Sequence, residues 1–308
     1  MTLRTAIAIL LAGVSASVSA GAQEAPGLTP APAAGSSSPS RAASNPPSPG
    51  NANWAATPDE ARVRAAAENK LVYIEFDGRE CGQCRRMDAL LYPAFDFEAL
   101  LIPMVPVKIA LDSPEGRELA RRYGVRDTPA VLVTSPEGRT VFRMEGFTST
   151  AEFYQHIHQD MEAYRTFLKR IDGEDIAHVP AKEALETGRE LYQRNDSAAA
   201  VPRLERAVRH PKAPAAVRDE AREILAAVEL DLGQIPAAHQ TIDRLIATTK
   251  DPLRRQRAEL FRAQLPLAEN RPAEALALFR KFQKDHPTSP YIEQVNAMLA
   301  RLTSTIQP

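Results

Sequence analysis

The sequence predicts an α/β domain, a mixed β-sheet flanked by helices, followed by an all-α domain of repeated helix pairs. Three observations carry this. Short β-branched and aromatic runs alternate with amphipathic helical segments between residues 57 and 170. Strand-like runs stop after Asp172, where Ala, Leu, Arg and Glu dominate. Matched residues then recur there at spacings of 38 and 37. With 308 residues, 44% hydrophobic and 25% charged, the chain is long enough to bury two cores. Its net charge of -1 offers no footing for a nucleic-acid backbone or an anionic membrane surface, so neither partner is expected.

Residues 1–22 have one positive charge at Arg4, an apolar core from Ala6 to Val14, and small residues that fit cleavage after Ala20 or Ala22. That is the pattern of a secretory signal peptide. The apolar run is shorter than the ~20 residues of a membrane span, and no cysteine stands near the cut to take a lipid. A soluble protein, periplasmic or otherwise exported, is expected, with no membrane span after signal cleavage. Residues 23–56 are mostly Pro, Ala, Ser and Gly, too poor in large apolar groups to offset the entropy of folding, and are expected to be a disordered linker.

Order is expected from Thr57, an N-cap followed by Pro58 at the first helical position and acids in the first turn. "LVYIEF", Leu71 to Phe76, suits a buried strand. "CRRMDALLY" then opens an amphipathic helix that Pro93 closes. "MVPVKIAL" reads as a second strand, "SPEGRELARRYG" as a helix ended by Gly124, and "AVLVTSPEGRTVFRMEG" as a hairpin turning at Ser135 to Gly138. A last helix from about Thr150 to Lys169 carries Phe153, Ile157, Met161, Tyr164 and Leu168 as one apolar stripe. The expected domain runs over 57–170.

From 175 to 308 the expected domain is helical. Ala200, Ala238 and Ala275 align, with Leu204, Ile242 and Phe279 four residues on and Ala207, Leu245 and Phe282 three further. Pro211, Pro252 and Pro287 stand near the first helix end of each unit. Two helices per unit at this period resemble tetratricopeptide-type repeats, though longer than the usual ~34 residues.

The only two cysteines are Cys81 and Cys84, in "FDGRECGQCRRMD". Zinc requires four tetrahedral ligands, and no histidine stands at ligand spacing, so no metal is expected. Covalent haem attachment wants His after the second cysteine, where Arg85 stands. A staple across two residues closes too small a loop to contribute much stability. Redox chemistry fits better. Cys81 at a helix N-terminus would meet unpaired N–H groups and the macrodipole, which favour a thiolate. Cys84, one turn on, would attack a mixed disulfide formed at Cys81. Arg79, Arg85 and Arg86 would assist the thiolate if close to it, or else form a solvated basic face.

Residues 57 to 169 resemble the thioredoxin superfamily, particularly its exported thiol-disulfide interchange domains, through "ENKLVYIEF", the CGQC motif and "RRYGVRDTPAVLV". The resemblance implies that Thr128 and Pro129 form the family's cis-proline segment, which lies beside the dithiol and pairs its backbone with substrate. It also implies that Glu75, six residues before Cys81, is a buried acid that takes the proton of the resolving cysteine. Burial would raise its pKa; strand alternation alone leaves open an edge glutamate facing water. The family commonly has Trp before the first cysteine and Pro between the two. Here Glu80 and Gly82-Gln83 stand there, and the absence of a histidine argues against a strong oxidant.

The expected function is an exported thiol-disulfide oxidoreductase, a reductase or isomerase, with no cofactor beyond the redox-active Cys81–Cys84 disulfide. Protein thiols and disulfides would be its substrates and a membrane carrier of reducing equivalents its electron donor. The helical repeats would recruit a protein partner. The rival reading is a repeat-based scaffold with a structural or redox-sensing thioredoxin-like attachment.

Overall fold

The computed structural model describes residues 53–306; the expected signal peptide and the expected linker as far as residue 52 lie outside them. Helix α1 (Pro58–Glu68) starts where the sequence predicts, with the Thr57 hydroxyl accepting the N–H of Glu60 at 3.1 Å. The chain then runs through β1 (Leu71–Asp77), α2 (Gly82–Leu91), α3 (Phe95–Leu101), β2 (Met104–Ala110), α4 (Pro114–Tyr123), β3 (Ala130–Thr134), β4 (Thr140–Glu145) and α5 (Thr150–Ile171).

The four strands form one sheet in the order β2-β1-β3-β4. β1 is parallel to β2, and the other two pairings are antiparallel. β1 is therefore central and covered on both faces, which is why "LVYIEF" reads as a nearly unbroken apolar run. Alternation sorts its side chains. Val72, Ile74 and Phe76 join Ala61 and Ala65 of α1 and Ala120 of α4 in one core cluster. Tyr73 faces the other way, into a cluster with Met87 and Leu91 of α2 and Phe153 and Ile157 of α5. Each of the large apolar side chains buried here contributes about 1.5–3 kcal/mol of transfer free energy. Glu75 and Asp77 share the parity of Tyr73, so both point to the side of the sheet on which α2 lies.

Three expectations need correction. Order begins before Thr57: Ala55 bridges Val107 at the β2 edge, and the Trp54 ring meets those of Tyr73 and Tyr92 edge-on at 6.2 and 5.9 Å. One indole buries enough apolar surface to hold a stretch whose composition otherwise resists folding. Helix α3 was not expected, being a two-turn element between Pro93 and Pro103 with Phe97, Leu100 and Leu101 buried. In α5 the stripe ends on Phe167 rather than Leu168, which is half-buried against the same cluster. Phe167 turns toward the guanidinium of Arg194, 5.1 Å from its ring.

A 3-10 turn (Ile176–His178) leads into α6 (Ala181–Gln193), α7 (Ser197–Arg209), α8 (Ala215–Asp231), α9 (Ile235–Thr248), α10 (Pro252–Ala268), α11 (Pro272–Asp285) and α12 (Ile292–Ile306), each packed on the next. All nine residues matched in the sequence are buried, on α7, α9 and α11, the second helix of successive pairs. Gly188 of α6 permits close approach: a Cβ there would stand 2.8 Å from Cγ of Leu204 on α7.

The two regions share one core. A single cluster runs from Phe142 and Phe153 through Val179, Leu185 and Leu191 to Leu204. At the β4 edge the N–H of Thr140 donates to the carbonyl of Arg194 at 2.6 Å, and the Arg194 guanidinium returns a bond to the Thr140 carbonyl at 3.1 Å. Arg139 pairs with Asp196 and Arg170 with Glu190 across the same seam. Among the described residues no helix is long and apolar enough to cross a membrane.

Candidate functional site

The turn after β1 delivers Cys81 to the N-cap of α2, and Cys84 lies one turn inside. They are joined by a disulfide. The N–H of Cys84 donates to Sγ of Cys81 at 2.9 Å, so one of the helix's unpaired donors is aimed at that sulfur. Cys81 is half-exposed, whereas Cys84 is only 2% exposed. One sulfur is reachable by a partner and the other is sealed beneath it, as attack followed by resolution requires.

The bond between Thr128 and Pro129 is cis. Gly78, Cys81, Gly82 and Gln83 face Asp127 and Thr128 across an open cleft of about 420 Å³, with Glu80 on its rim. The two sides nearly touch: a Cβ on Gly78 would meet Thr128 Oγ1 at 2.6 Å and Cβ of Cys81 at 3.4 Å. The Thr128 N–H is held by the carboxylate of Asp127 at 2.8 Å, and the Pro129 carbonyl accepts from Gly146 N–H at 2.8 Å.

Glu75 is fully buried on the central strand, which removes the alternative of an edge glutamate facing water. Its register partner on β2 is Lys108, whose ammonium lies 2.9 Å from Oε1; the Tyr92 hydroxyl donates to Oε2. Burial pushes the Glu75 pKa up to about 7, against the opposing pull of the Lys108 charge and the Tyr92 hydrogen bond. Lys108 also reaches Asp88 at 2.9 Å and Asp77 at 3.6 Å. Burial alone would lower the Lys108 pKa, but the Glu75 and Asp88 contacts outweigh it and the pKa is raised. Tyr92 is raised by burial and by the neighbouring Glu75 charge.

Sequence reasoning missed Lys108, Asp88, Tyr92 and Asp77. The lysine left a signal, a lone charge inside the apolar "MVPVKIAL", which only the strand register turns into a partner for Glu75. Asp77 left none. A carboxylate oxygen of Asp77 and both sulfurs all lie within 4.8 Å of one another. This trio is one donor short of a tetrahedral zinc site, and two of its members are tied in the disulfide. Arg79 pairs with Asp112 at 3.0 Å, and Arg85 and Arg86 are exposed, with the Arg85 guanidinium beside Gly82: a Cβ there would stand 3.7 Å from it. From the protein side the sulfurs are faced by the Asp77 carboxylate.

The sequence model of the family described as a thioredoxin-like domain matches residues 58–160. No curated protein matches the chain. Among solved structures, a thioredoxin from Thermus thermophilus is 32% identical, covering 32% of this chain and 80% of that one, with a TM-score of 0.31. A DsbH oxidoreductase is 19% identical over 37% of this chain and 86% of that one, TM-score 0.33. The C-terminal domain of Neisseria meningitidis DsbD, in its oxidised form, is 19% identical over 32% and 89%, TM-score 0.29. The family match spans the sheet, the helices that cover it, the disulfide at the α2 N-terminus and the cis-proline beside it, and through this domain the chain belongs to the thioredoxin-like family.

Proposed function

We propose that the chain is an exported thiol-disulfide oxidoreductase acting as a reductase or isomerase of protein disulfides. In the reduced protein the Cys81 thiolate attacks one sulfur of a client disulfide. A Cys81–client bond forms, the client S–S bond breaks, and the departing client thiolate takes a proton from water. Cys84 then loses its proton and its sulfur attacks Sγ of Cys81. The mixed disulfide breaks, the second client thiol leaves, and Cys81–Cys84 closes. The client gains two electrons and the dithiol loses them.

The observation that carries this reading is the Cys84 N–H donated to a half-exposed Cys81 Sγ, with Cys84 itself sealed below. Glu75, with its pKa pushed up to about 7, is the buried acid that stores the resolving cysteine's proton near neutral pH. The Thr128-Pro129 segment receives client backbone, for which the Thr128 N–H must be released from Asp127. Re-reduction in an oxidising compartment needs a donor, and a membrane carrier of reducing equivalents fills that place. The paired helices of 181–306 are read as tetratricopeptide-type repeats that recruit a protein partner.

The test is turnover of a protein disulfide with dithiothreitol as donor. The wild type reduces it, Cys81→Ser abolishes this, and Cys84→Ser accumulates a mixed disulfide through Cys81 whose partner mass spectrometry identifies. Equal turnover in Cys81→Ser, with no adduct in Cys84→Ser, leaves the scaffold reading instead.

A further inference from the structure

We propose that Asp77 is the first group to accept the Cys84 proton in the resolving step, ahead of the buried Glu75 store, and that its charge holds the Cys84 thiol protonated until then. This rests on the oxidoreductase reading above. Three observations point to Asp77. Its carboxylate lies within 4.8 Å of both sulfurs, a gap that one water or a small side-chain rotation closes. It is held in place by the Gly78 N–H at 2.8 Å and by Lys108 at 3.6 Å. Its side chain is 17% exposed, whereas those of Glu75 and Lys108 are 0% and 2% exposed.

A proton on Glu75 is closed in by Tyr92 and Lys108, so the store behind the site needs a route to water. Asp77 supplies it, standing between the sulfurs, the lysine and the cleft. The charged and titratable groups around it are Glu75 on its own strand, Lys108 on β2, Asp88 and Tyr92 at α2, and Glu80 on the cleft rim. Lys108 is the one cation in this group, set against four carboxylates.

In the resolving step the Cys84 S–H bond breaks and its proton passes to the Asp77 carboxylate. The sulfur's freed electron pair forms the bond to Cys81 Sγ, and the mixed disulfide's pair leaves on the client sulfur. Asp77 then gives its proton to the Glu75 store, to that thiolate or to water, so charge and electrons balance within the exchange proposed above. Before the step, an anion about 5 Å from the thiol opposes ionisation by roughly fourfold in a water-like medium and by a few hundredfold in a protein-like one.

The test uses the full chain in a Cys81→Ser background, where Cys84 is the sole thiol. Its ionisation is followed by thiolate absorbance near 240 nm against pH, with and without Asp77→Asn. The expected result is a Cys84 ionisation constant raised about tenfold by the substitution; a change under threefold overturns the charge role. With both cysteines present, the rate at which a Cys81-glutathione mixed disulfide resolves is expected to be nearly flat from pH 6 to 8 in the wild type. In Asp77→Asn it climbs about tenfold per unit, because the thiolate must form unaided; parallel profiles overturn the acceptor role. Asp77→Ser repeats both measurements should the asparagine variant fold poorly. Wild-type protein that fails to turn over a protein disulfide sinks the parent reading, whereas normal turnover with unchanged titration sinks this one alone.

Discussion

Replacing Glu75 by Gln keeps the shape of the buried side chain and removes its titration. In the folded protein burial raises the Glu75 pKa from 4.5 to about 7. A carboxyl that holds its proton more tightly when folded favours the folded state below its unfolded pKa, and that advantage fades as pH rises to the folded pKa. The gap of about 2.5 units, at ~1.4 kcal/mol each, amounts to about 3 kcal/mol lost between pH 4.5 and 7. Glu75→Gln lacks this loss, so the stability of the wild type minus that of the variant should fall by about 3 kcal/mol from pH 4 to pH 8. Equilibrium unfolding in urea at several pH values, with the disulfide intact, measures it. The single tryptophan, Trp54, packs on Tyr92, which bonds Glu75, so its fluorescence reports this region. A difference that stays level within about 1 kcal/mol across that range refutes the buried, proton-holding glutamate.

Lys108→Met leaves Glu75 without its cation and should destabilise by about 3–5 kcal/mol at pH 8, and by clearly less at pH 5, where the carboxyl is protonated; urea unfolding at the two pH values reads the contrast. Gly116→Ala places a Cβ 2.1 Å from the carbonyl oxygen of Ala110, so α4 must lift off the end of β2, at a cost of about 3 kcal/mol in the same assay. Gly78→Ala pushes against Thr128 Oγ1 at 2.6 Å and parts the two sides of the cleft; kcat/KM toward a protein disulfide should drop roughly ten- to a hundredfold, with stability reduced by less than about 2 kcal/mol.

Much of the fold was legible because its signals are local. Thr57-Pro58 and Ser113-Pro114 cap and open helices, Gly124 adopts φ 71 to end one, and the matched alanines of 200, 238 and 275 mark buried helix contacts. The site was legible only along the chain. Cys81, Cys84, Glu75 and the Thr128-Pro129 segment could be named from spacing and resemblance, and the structure sets Cys81, Cys84 and Thr128 around one cleft or beside it. What surrounds Glu75 could not be read, because Lys108 reaches it through parallel strand register, 33 residues on. Asp77 was invisible for a related reason: strand parity turns it inward, and an acid four residues before a cysteine has no meaning until that parity is known. Trp54 shows the limit of composition, since one ring outweighed a low-complexity neighbourhood.

The shared core and the Thr140–Arg194 seam tie the sheet and the helices together. If the helices recruit a guest as proposed, it would sit at a set span from the sulfur, as between the jaws of a welded caliper. Selection would then be by measurement, admitting guests whose own length brings a disulfide to that point and passing over those that fall short.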